Sequence, residues 1–253
     1  MKITFLGTGT SQGIPMIAND DPVCLSNDSK DKRLRSSVMI SWDDTCYVID
    51  CGPDFRQQML RENIQAINGV LFTHEHSDHT AGIDDLRPFT YKMGEVPIYA
   101  QERVIESLKV RFSYIFETEN RYAGAPKLTE NIIDSSSFIL SGVDVTPIVV
   151  MHGKLPITGY RFGDVAYITD LKTISDHEKK KLDGLDILIV NALRITAHPT
   201  HLNLEEALCF VNEIKPKRAY FTHISHKLGF HAEVQKKLPE NVFLSYDGLE
   251  IKL

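Results

Sequence analysis

Three histidines and an aspartate lie within six consecutive positions, in the segment His74-Glu75-His76-Ser77-Asp78-His79. The segment follows a short apolar run at residues 70–73, which predicts a buried strand. Protonated imidazoles this close together would repel one another, and burial would disfavour their charged forms. A divalent cation removes this cost, because it selects neutral imidazoles and ionised carboxylates as ligands. The segment therefore predicts a metal site.

The spacing of these side chains indicates how they would share a site. Directly after a strand, His74 and His76 can point to one side, while Asp78 and His79 converge from the next turn. This arrangement can serve two metals. Because no cysteine lies at a ligand position, the nitrogen and oxygen ligands are compatible with zinc, manganese or iron.

The pattern H-x-H-x-D-H after a buried strand resembles the signature of the metallo-β-lactamase-fold hydrolases, and the resemblance covers essentially the whole chain. It implies an α/β fold, a four-layer αββα sandwich, with residues 1–253 forming a single domain of two similar halves. It also implies ligands elsewhere in the chain, at His152, Asp170 and His223. Asp50, which closes a predicted strand, resembles the family's outer aspartate that orients a ligand.

The resemblance implies two metal sites that share the carboxylate of Asp170. The first would be completed by His74, His76 and His152. The second would be completed by Asp78, His79 and His223. Two divalent ions carry four positive charges, of which two aspartates and a bridging hydroxide remove three, so the centre should attract an anionic substrate. The metals would also lower the pKa of bound water from about 15.7 towards about 7, which supplies the nucleophile.

His201 lies in a polar loop at residues 197–203, just before a predicted amphipathic helix. It matches the additional histidine of the phosphodiesterase branch of the family, which includes tRNase Z and the cyclic phosphodiesterase of the carbon-phosphorus lyase pathway. That histidine acts on the leaving group. An alkoxide leaves poorly, so a proton donor contributes about 10² to 10⁴ in rate. The predicted catalytic residues are His201, as general acid, and the ligand Asp78.

These features predict a dinuclear metal phosphodiesterase that acts on small phosphodiesters, including cyclic ones. tRNase Z itself is disfavoured because its tRNA-gripping arm would have to fit between His152 and Asp170. A thioester or lactone hydrolase with glyoxalase II-like chemistry shares the ligands, but only 30 residues follow His223 where that enzyme carries a long helical domain. A secreted β-lactamase would need an export signal and typically lacks the bridging aspartate, and the flavodiiron electron-transfer proteins have a glutamate where His76 stands. A non-catalytic metal-binding protein is the last alternative, although it would ordinarily lack some of the ligands.

Cys24 and His226 resemble the remnants of a structural zinc site found in the carbon-phosphorus lyase relative. That site has three cysteines and a histidine, whereas this chain has Asn19 and Asp21 at two of the cysteine positions. Because a structural zinc site strongly favours cysteine and histidine, we predict no third, structural zinc. The sequence leaves three histidines without an assigned role: His198, His226 and His231.

The composition is that of a globular protein, with 42% hydrophobic and 25% charged residues. The net charge of -6 argues against stable nucleic-acid binding. Apolar runs such as residues 187–190 are far shorter than a membrane span. Residues 1–7 contain too few apolar residues for a signal peptide. The four cysteines form no C-x-x-C pair. We expect a cytoplasmic protein without membrane contact and, from the resemblance, a homodimer.

Hydrophobic periodicity predicts the elements that position these residues. The predicted strands include residues 3–6, 37–41, 46–49, 187–191 and 219–222. The predicted helices include residues 56–62, 104–116 and 204–214. The loop at residues 7–13 has glycines at positions that do not fit a dinucleotide site. The final segment, residues 242–253, is predicted to form a hairpin that turns at Asp247-Gly248.

Overall fold

The computed structural model describes residues 1–119 and 121–253 and contains strands and short helices. The strands are β1 (Lys2–Gly7), β2 (Ser37–Trp42), β3 (Thr45–Ile49), β4 (Gly69–Leu71), β5 (Val96–Ala100), β6 (Leu128–Ile132), β7 (Phe138–Leu140), β8 (Val143–His152), β9 (Leu155–Phe162), β10 (Val165–Ile168), β11 (Ile187–Asn191), β12 (Arg218–Thr222), β13 (Val242–Leu244) and β14 (Glu250–Lys252). The α-helices are α1 (Pro22–Leu25), α2 (Phe55–Arg61), α3 (Ser77–Thr80), α4 (Arg87–Met93), α5 (Glu102–Arg111), α6 (Ser113–Phe116), α7 (Asp176–Lys179), α8 (Leu204–Ile214) and α9 (His231–Gln235).

The chain divides into two compact units. The first unit consists of Met1–Gly7, Arg35–Asp134 and Gly248–Leu253, and the second of Thr8–Leu34 and Ser135–Asp247. Within the described residues, each unit holds one seven-stranded sheet, in the order β14-β1-β2-β3-β4-β5-β6 in the first and β13-β12-β11-β10-β9-β8-β7 in the second.

The two sheets follow the same plan. In the first, β1, β2 and β3 pair antiparallel, and β3 then pairs parallel with β4, which begins a run of parallel strands. In the second, β7 to β10 pair antiparallel, and β10 then pairs parallel with β11. The predicted α/β class with two similar halves is confirmed.

The parallel strands explain where the predicted site residues lie. β4 and β11 are buried along their whole length, which is why they appear in the sequence as continuous apolar runs. In such sheets, ligand sites form beyond the carboxyl ends of the parallel strands. The polar site residues lie at these ends, directly after the strands or after their neighbours. Asp50 comes directly after β3, and His223 directly after β12.

Two predicted elements are wrong in detail. The final segment does not form a hairpin, since β13 pairs parallel with β12 in the second sheet and β14 pairs antiparallel with β1 in the first. The side chain of Asp247 instead accepts hydrogen bonds from the Thr8 backbone, the Thr8 hydroxyl and the Leu34 backbone. The helix predicted over residues 104–116 is interrupted at Phe112, whose φ of -127° and ψ of 43° are not helical.

The helix α8 begins immediately after the loop that carries His201, and its start is fixed by a capping box. The Asn203 side chain accepts from the Glu206 backbone N–H at 2.8 Å, and the Asn203 backbone N–H donates to the Glu206 carboxylate at 2.9 Å. The helix has 11 residues and packs Ala207, Phe210 and Val211 into the core. No helix in the described part of the chain combines the length and the apolar character that a bilayer crossing requires.

We expect the substitution Asn203→Ala to lower the free energy of unfolding by about 1 kcal/mol, because it removes the cap of α8. Urea denaturation measures the change. Asn212→Ala is the matched control: Asn212 lies exposed in the same helix, where alanine is the better helix former, so its unfolding free energy should stay level or rise slightly. Equal losses in the two variants would contradict the capping role.

Candidate metal centre

The first unit brings together four of the predicted ligands, which we call the first-unit donor cluster: His74, His76, Asp78 and His79. His76 precedes α3, and this short helix places Asp78 and His79 one turn further on. His74 and His79 are fully buried. Nε2 of His74 lies 3.0 Å from Nδ1 of His76, and Nε2 of His79 lies 3.2 Å from the Asp78 carboxylate. These atoms are the electron-pair donors that a divalent cation would bind.

Asp50 orients the ring of His79. Its buried carboxylate accepts from the backbone N–H and the hydroxyl of Thr73, each at 2.8 Å, and lies 2.7 Å from Nδ1 of His79. Burial raises the pKa of the Asp50 carboxyl, while the interactions with His79 and Thr73 act in the opposite direction. Because a carboxylate only accepts, the hydrogen of the neutral His79 ring stays on Nδ1 and Nε2 presents its electron pair.

The same hydrogen-bond chain orients His74. The Thr73 hydroxyl donates to Asp50, so at its 2.9 Å contact with Nδ1 of His74 it acts as the acceptor. The hydrogen of His74 therefore lies on Nδ1, and its Nε2 faces His76. Asp50 thus sets the orientation of two rings, one directly and one through Thr73.

Arg111, at the end of α5, holds the loop that carries the first-unit donor cluster. Its guanidinium donates to the Glu75 carbonyl at 2.6 Å, the Thr80 hydroxyl at 2.9 Å and the Ser77 hydroxyl at 3.1 Å. Arg103, from the same helix, pairs with the Glu75 carboxylate. The sequence offered no sign of this contact, because 31 residues separate Arg111 from Thr80.

The second unit brings together the other four predicted site residues, which we call the second-unit donor cluster: His152, Asp170, His201 and His223. Donor atoms of His152, Asp170 and His201 all lie within 4.8 Å of one another. The Oδ1 atom of Asp170 lies 2.9 Å from Nε2 of His201 and 3.2 Å from Nε2 of His223. Nδ1 of His152, at the end of β8, donates to the Thr200 carbonyl at 2.9 Å, so its Nε2 presents the electron pair.

His198 lies against His201, a placement that the sequence did not reveal. Nδ1 of His201 is 2.9 Å from the Thr200 hydroxyl and 3.1 Å from Nδ1 of His198, and the two rings meet edge to face at 4.9 Å. Burial and the neighbouring His201 lower the pKa of His198. Thr200 therefore orients two histidines, His152 through its carbonyl and His201 through its hydroxyl.

Asn191 is a second residue that the sequence did not single out. Its buried side chain accepts from the Leu171 backbone N–H at 2.7 Å and donates to the Leu171 carbonyl at 3.1 Å. The same carbonyl accepts from the backbone N–H of Leu202 at 2.9 Å. Since Leu171 follows Asp170 and Leu202 follows His201, these bonds fix the two segments that place the Asp170 carboxylate beside His201.

Three site residues at strand ends have a left-handed backbone. The φ angles are 66° at Asp50, 55° at Asp170 and 54° at His223. Residues other than glycine adopt this region uncommonly, and it is tolerated where the surrounding structure holds it in place. The left-handed turn changes the direction of the chain at the end of the strand. The side chain therefore no longer follows the pattern in which successive side chains point to opposite faces of the sheet.

The donor set fits divalent cations. Each cluster offers imidazole nitrogens and carboxylate oxygens and no sulfur. Hydrogen bonds engage Nδ1 of His74, His79 and His152, so each of these rings offers Nε2.

The four residues at the positions of the relative's structural zinc site, Asn19, Asp21, Cys24 and His226, lie in the second unit. The amide nitrogen of Asn19 lies 3.4 Å from Nε2 of His226, and the Asp21 carboxylate caps α1 by accepting from the Val23 backbone. Cys24 is buried. The absence of a third zinc remains a prediction.

His231 is held by contacts with Arg33 and Asp31, which indicates a structural role. Its Nδ1 lies 3.1 Å from the buried guanidinium of Arg33, and its backbone N–H donates to Asp31. Burial and the charge of Arg33 lower the pKa of His231 to about 4. The ring is therefore neutral near pH 7 and accepts from Arg33.

Comparisons with known proteins match the chain to one protein family and to several individual proteins. A family model described as "Beta-lactamase superfamily domain" matches residues 45–224. A crystal structure described as a new diphosphatase from the PhnP family is 41% identical, with a TM-score of 0.93, and the match covers 100% of this chain and 97% of that one.

The curated relatives are longer proteins. An octanoyltransferase of Porphyromonas gingivalis is 39% identical over 254 residues, which is 99% of this chain and 51% of that protein. A ribonuclease Z of Methanococcus maripaludis is 27% identical over 196 residues, which is 74% of this chain and 54% of that protein. The chain therefore spans about half the length of these two relatives.

We expect Asp50→Asn to weaken metal binding by about 10- to 100-fold, because the amide cannot accept from both Thr73 and His79 as the carboxylate does. Competition with a chromophoric chelator measures the dissociation constants. Asp54→Asn is the control, since Asp54 pairs with Arg35 and not with a predicted ligand. Metal binding by Asp50→Asn at wild-type strength would show that Asp50 does not orient the ligands.

Proposed function

We propose that this chain, which belongs to the beta-lactamase superfamily and is a metal-dependent hydrolase, cleaves phosphoric ester or anhydride bonds of small molecules. The position of His201 is the observation that carries the proposal. Its Nε2 lies against the carboxylate of the predicted shared ligand Asp170, while Thr200 and His198 hold the opposite side of the ring. A histidine in this position suits the protonation of an oxygen that leaves from a phosphorus centre.

We further propose that the two donor clusters together hold two divalent ions that share Asp170. The first ion would be bound by His74, His76 and His152. The second would be bound by Asp78, His79 and His223. The resemblance to the family supports this assignment. So do the hydrogen bonds that engage Nδ1 of His74, His79 and His152, because they leave each ring to bind a metal through Nε2.

The ions, when bound, supply a nucleophilic water near neutral pH and neutralise charge on the attacked group. The chain supplies the geometry. Asp50 and Thr73 orient the rings of His79 and His74, and the Thr200 carbonyl orients His152. Asp78, at the start of α3, holds its carboxylate 3.2 Å from Nε2 of His79, and this contact supports the proposal that Asp78 is a catalytic metal ligand.

His201 can act as a general acid in its protonated form. The imidazolium donates from both nitrogens, so its Nδ1–H can donate to the Thr200 hydroxyl while its Nε2–H faces the Asp170 carboxylate. In this proposal Nε2 gives its proton to the leaving oxygen, and the neutral ring remains. Proton delivery from this atom would assist an alkoxide far more than a nitrophenolate.

The proposed substrate is a small anion. The full-length similarity to a protein described as a diphosphatase favours a diphosphate bond, and the ribonuclease Z relative and His201 favour a phosphodiester, including a cyclic one. The net charge of -6 disfavours a nucleic-acid substrate. A cytoplasmic location and a homodimer remain predictions.

Hydrolysis of a thioester or lactone is the second candidate function. The relative that is named an octanoyltransferase favours it, since octanoyl transfer is acyl chemistry, although the chain spans only half of that protein. A thiolate leaves more readily than an alkoxide, so His201 would matter little to this reaction. A protein that binds metal without catalysis would bind the ions but would turn over none of these substrates.

We expect metal-stripped protein to regain hydrolysis of bis(p-nitrophenyl) phosphate when manganese or zinc is returned. We expect His201→Ala to lose about 10²- to 10⁴-fold in kcat on a cyclic nucleotide, whose leaving group is an alkoxide, and much less on the nitrophenyl ester. Steady-state kinetics on both substrates measures this difference.

His177→Ala is the control, because the His177 side chain is 82% exposed and lies on α7, outside both donor clusters. Equal losses on both substrates in His201→Ala would contradict the general-acid role. No turnover of either phosphate ester, together with hydrolysis of an octanoyl thioester, would replace the proposal with the second candidate.

A further inference from the structure

Thr169 and Asp170 directly follow β10 in the second unit, and both side chains are buried. The Thr169 hydroxyl donates to Oδ2 of Asp170 at 2.6 Å, a short distance that is typical of a hydrogen bond from a hydroxyl to an ionised carboxylate. The same hydroxyl oxygen lies 3.4 Å from Nδ1 of His223. One hydroxyl therefore contacts two proposed metal ligands, Asp170 and His223.

These two contacts fix the position of the hydrogen on the neutral His223 ring. A hydroxyl has a single hydrogen, and Thr169 gives it to Asp170, so towards His223 its oxygen can only accept. The contact with Nδ1 is then a hydrogen bond only when the ring hydrogen lies on Nδ1. Nε2 of His223 keeps its electron pair. The Thr10 hydroxyl, 3.3 Å from Nε2, can donate to this electron pair while no metal is bound there.

The hydrogen bond from Thr169 also distinguishes the two oxygens of Asp170. Oδ2 accepts from Thr169, whereas Oδ1 lies 3.2 Å from Nε2 of His223 and 2.9 Å from Nε2 of His201. Thr169 therefore directs Oδ1 of Asp170 and Nε2 of His223 to the same place, as two ligands of one ion require.

The first unit contains the same series of carboxylate, threonine hydroxyl and imidazole. There the Thr73 hydroxyl donates to Asp50 and accepts from Nδ1 of His74. In both units the threonine directly precedes a predicted ligand in the chain. The difference lies in the carboxylate, because Asp50 only orients ligands whereas Asp170 is itself a proposed ligand. A change at Thr169 should therefore disturb two ligands of the same ion.

We propose that Thr169 is a positioning residue of the metal centre. Its hydroxyl holds Asp170 and His223 in the orientation that binds the second of the two proposed ions. The inference rests on the proposed function, since it requires two divalent ions that share Asp170.

The substitution Thr169→Val removes the hydroxyl and keeps a branched side chain of similar size. We expect the dissociation constant of one zinc ion to rise about 10- to 100-fold. The other ion should weaken by less, because it shares only Asp170 with the pair of ligands that Thr169 holds. Competition of the zinc-loaded protein with a chromophoric chelator measures both constants. Thr169→Ser keeps the hydroxyl and should bind both ions nearly as tightly as the wild type.

Thr222→Val is the matched control. Thr222 is buried and directly precedes His223, but its hydroxyl has no hydrogen-bond partner among the residues that the structure describes. Its removal should leave both dissociation constants unchanged, so equal losses in Thr222→Val and Thr169→Val would overturn the inference. Two other results would also overturn it: wild-type affinity for both ions in Thr169→Val, or a loss in Thr169→Ser as large as in Thr169→Val.

Failure of the proposed function is distinguishable, because it appears in the wild type. Fewer than two bound zinc ions in the wild type would overturn both the shared metal centre and the role of Thr169. Two bound ions without turnover of phosphate esters would contradict the proposed reaction alone, and the dissociation constants of the variants would still decide whether Thr169 positions the ligands.

Discussion

A neutral imidazole presents an electron pair to a cation on one nitrogen only when its hydrogen is held on the other. Hydrogen-bond acceptors impose this on His74, His79 and His152. The Asp50 carboxylate holds the hydrogen of His79 directly and that of His74 through the Thr73 hydroxyl. The Thr200 carbonyl holds that of His152. The rings are thereby set for metal binding by hydrogen bonds, and the chemistry that we propose depends on them.

The backbone makes this possible at the ends of strands. Asp50 and His223 directly follow β3 and β12, and Asp170 follows β10 after Thr169; all three have a left-handed backbone. Such residues are held by their surroundings, and Asn191 shows how, because its side chain bonds both backbone groups of Leu171 beside Asp170. The hydrogen bonds around the strand ends therefore fix the backbone that carries these three site residues.

Local patterns were sufficient for much of the fold and part of the candidate site. The segment from His74 to His79 could be interpreted from sequence because its donors lie on one strand end and one helical turn, and buried parallel strands such as β11 appear as apolar runs. The residues His152, Asp170 and His223 are far apart in the chain, so only the resemblance to a family connected them.

Contacts that depend on strand pairing could not be predicted. Asn191 reaches Leu171 across 20 residues because β10 and β11 are neighbours, and nothing in either residue type reveals this. The predicted hairpin failed for the same reason, since an apolar pattern identifies β13 as a strand but not β12 as its partner.

The number of tightly bound metal ions per chain tests the central claim most directly. Inductively coupled plasma mass spectrometry on purified protein, after removal of free metal, would measure it for the wild type and for Asp170→Asn. The account predicts two divalent ions in the wild type and fewer in Asp170→Asn, whose shared ligand is lost. No bound ion or one ion in the wild type would contradict the shared site, and three zinc ions would contradict the predicted absence of a structural zinc.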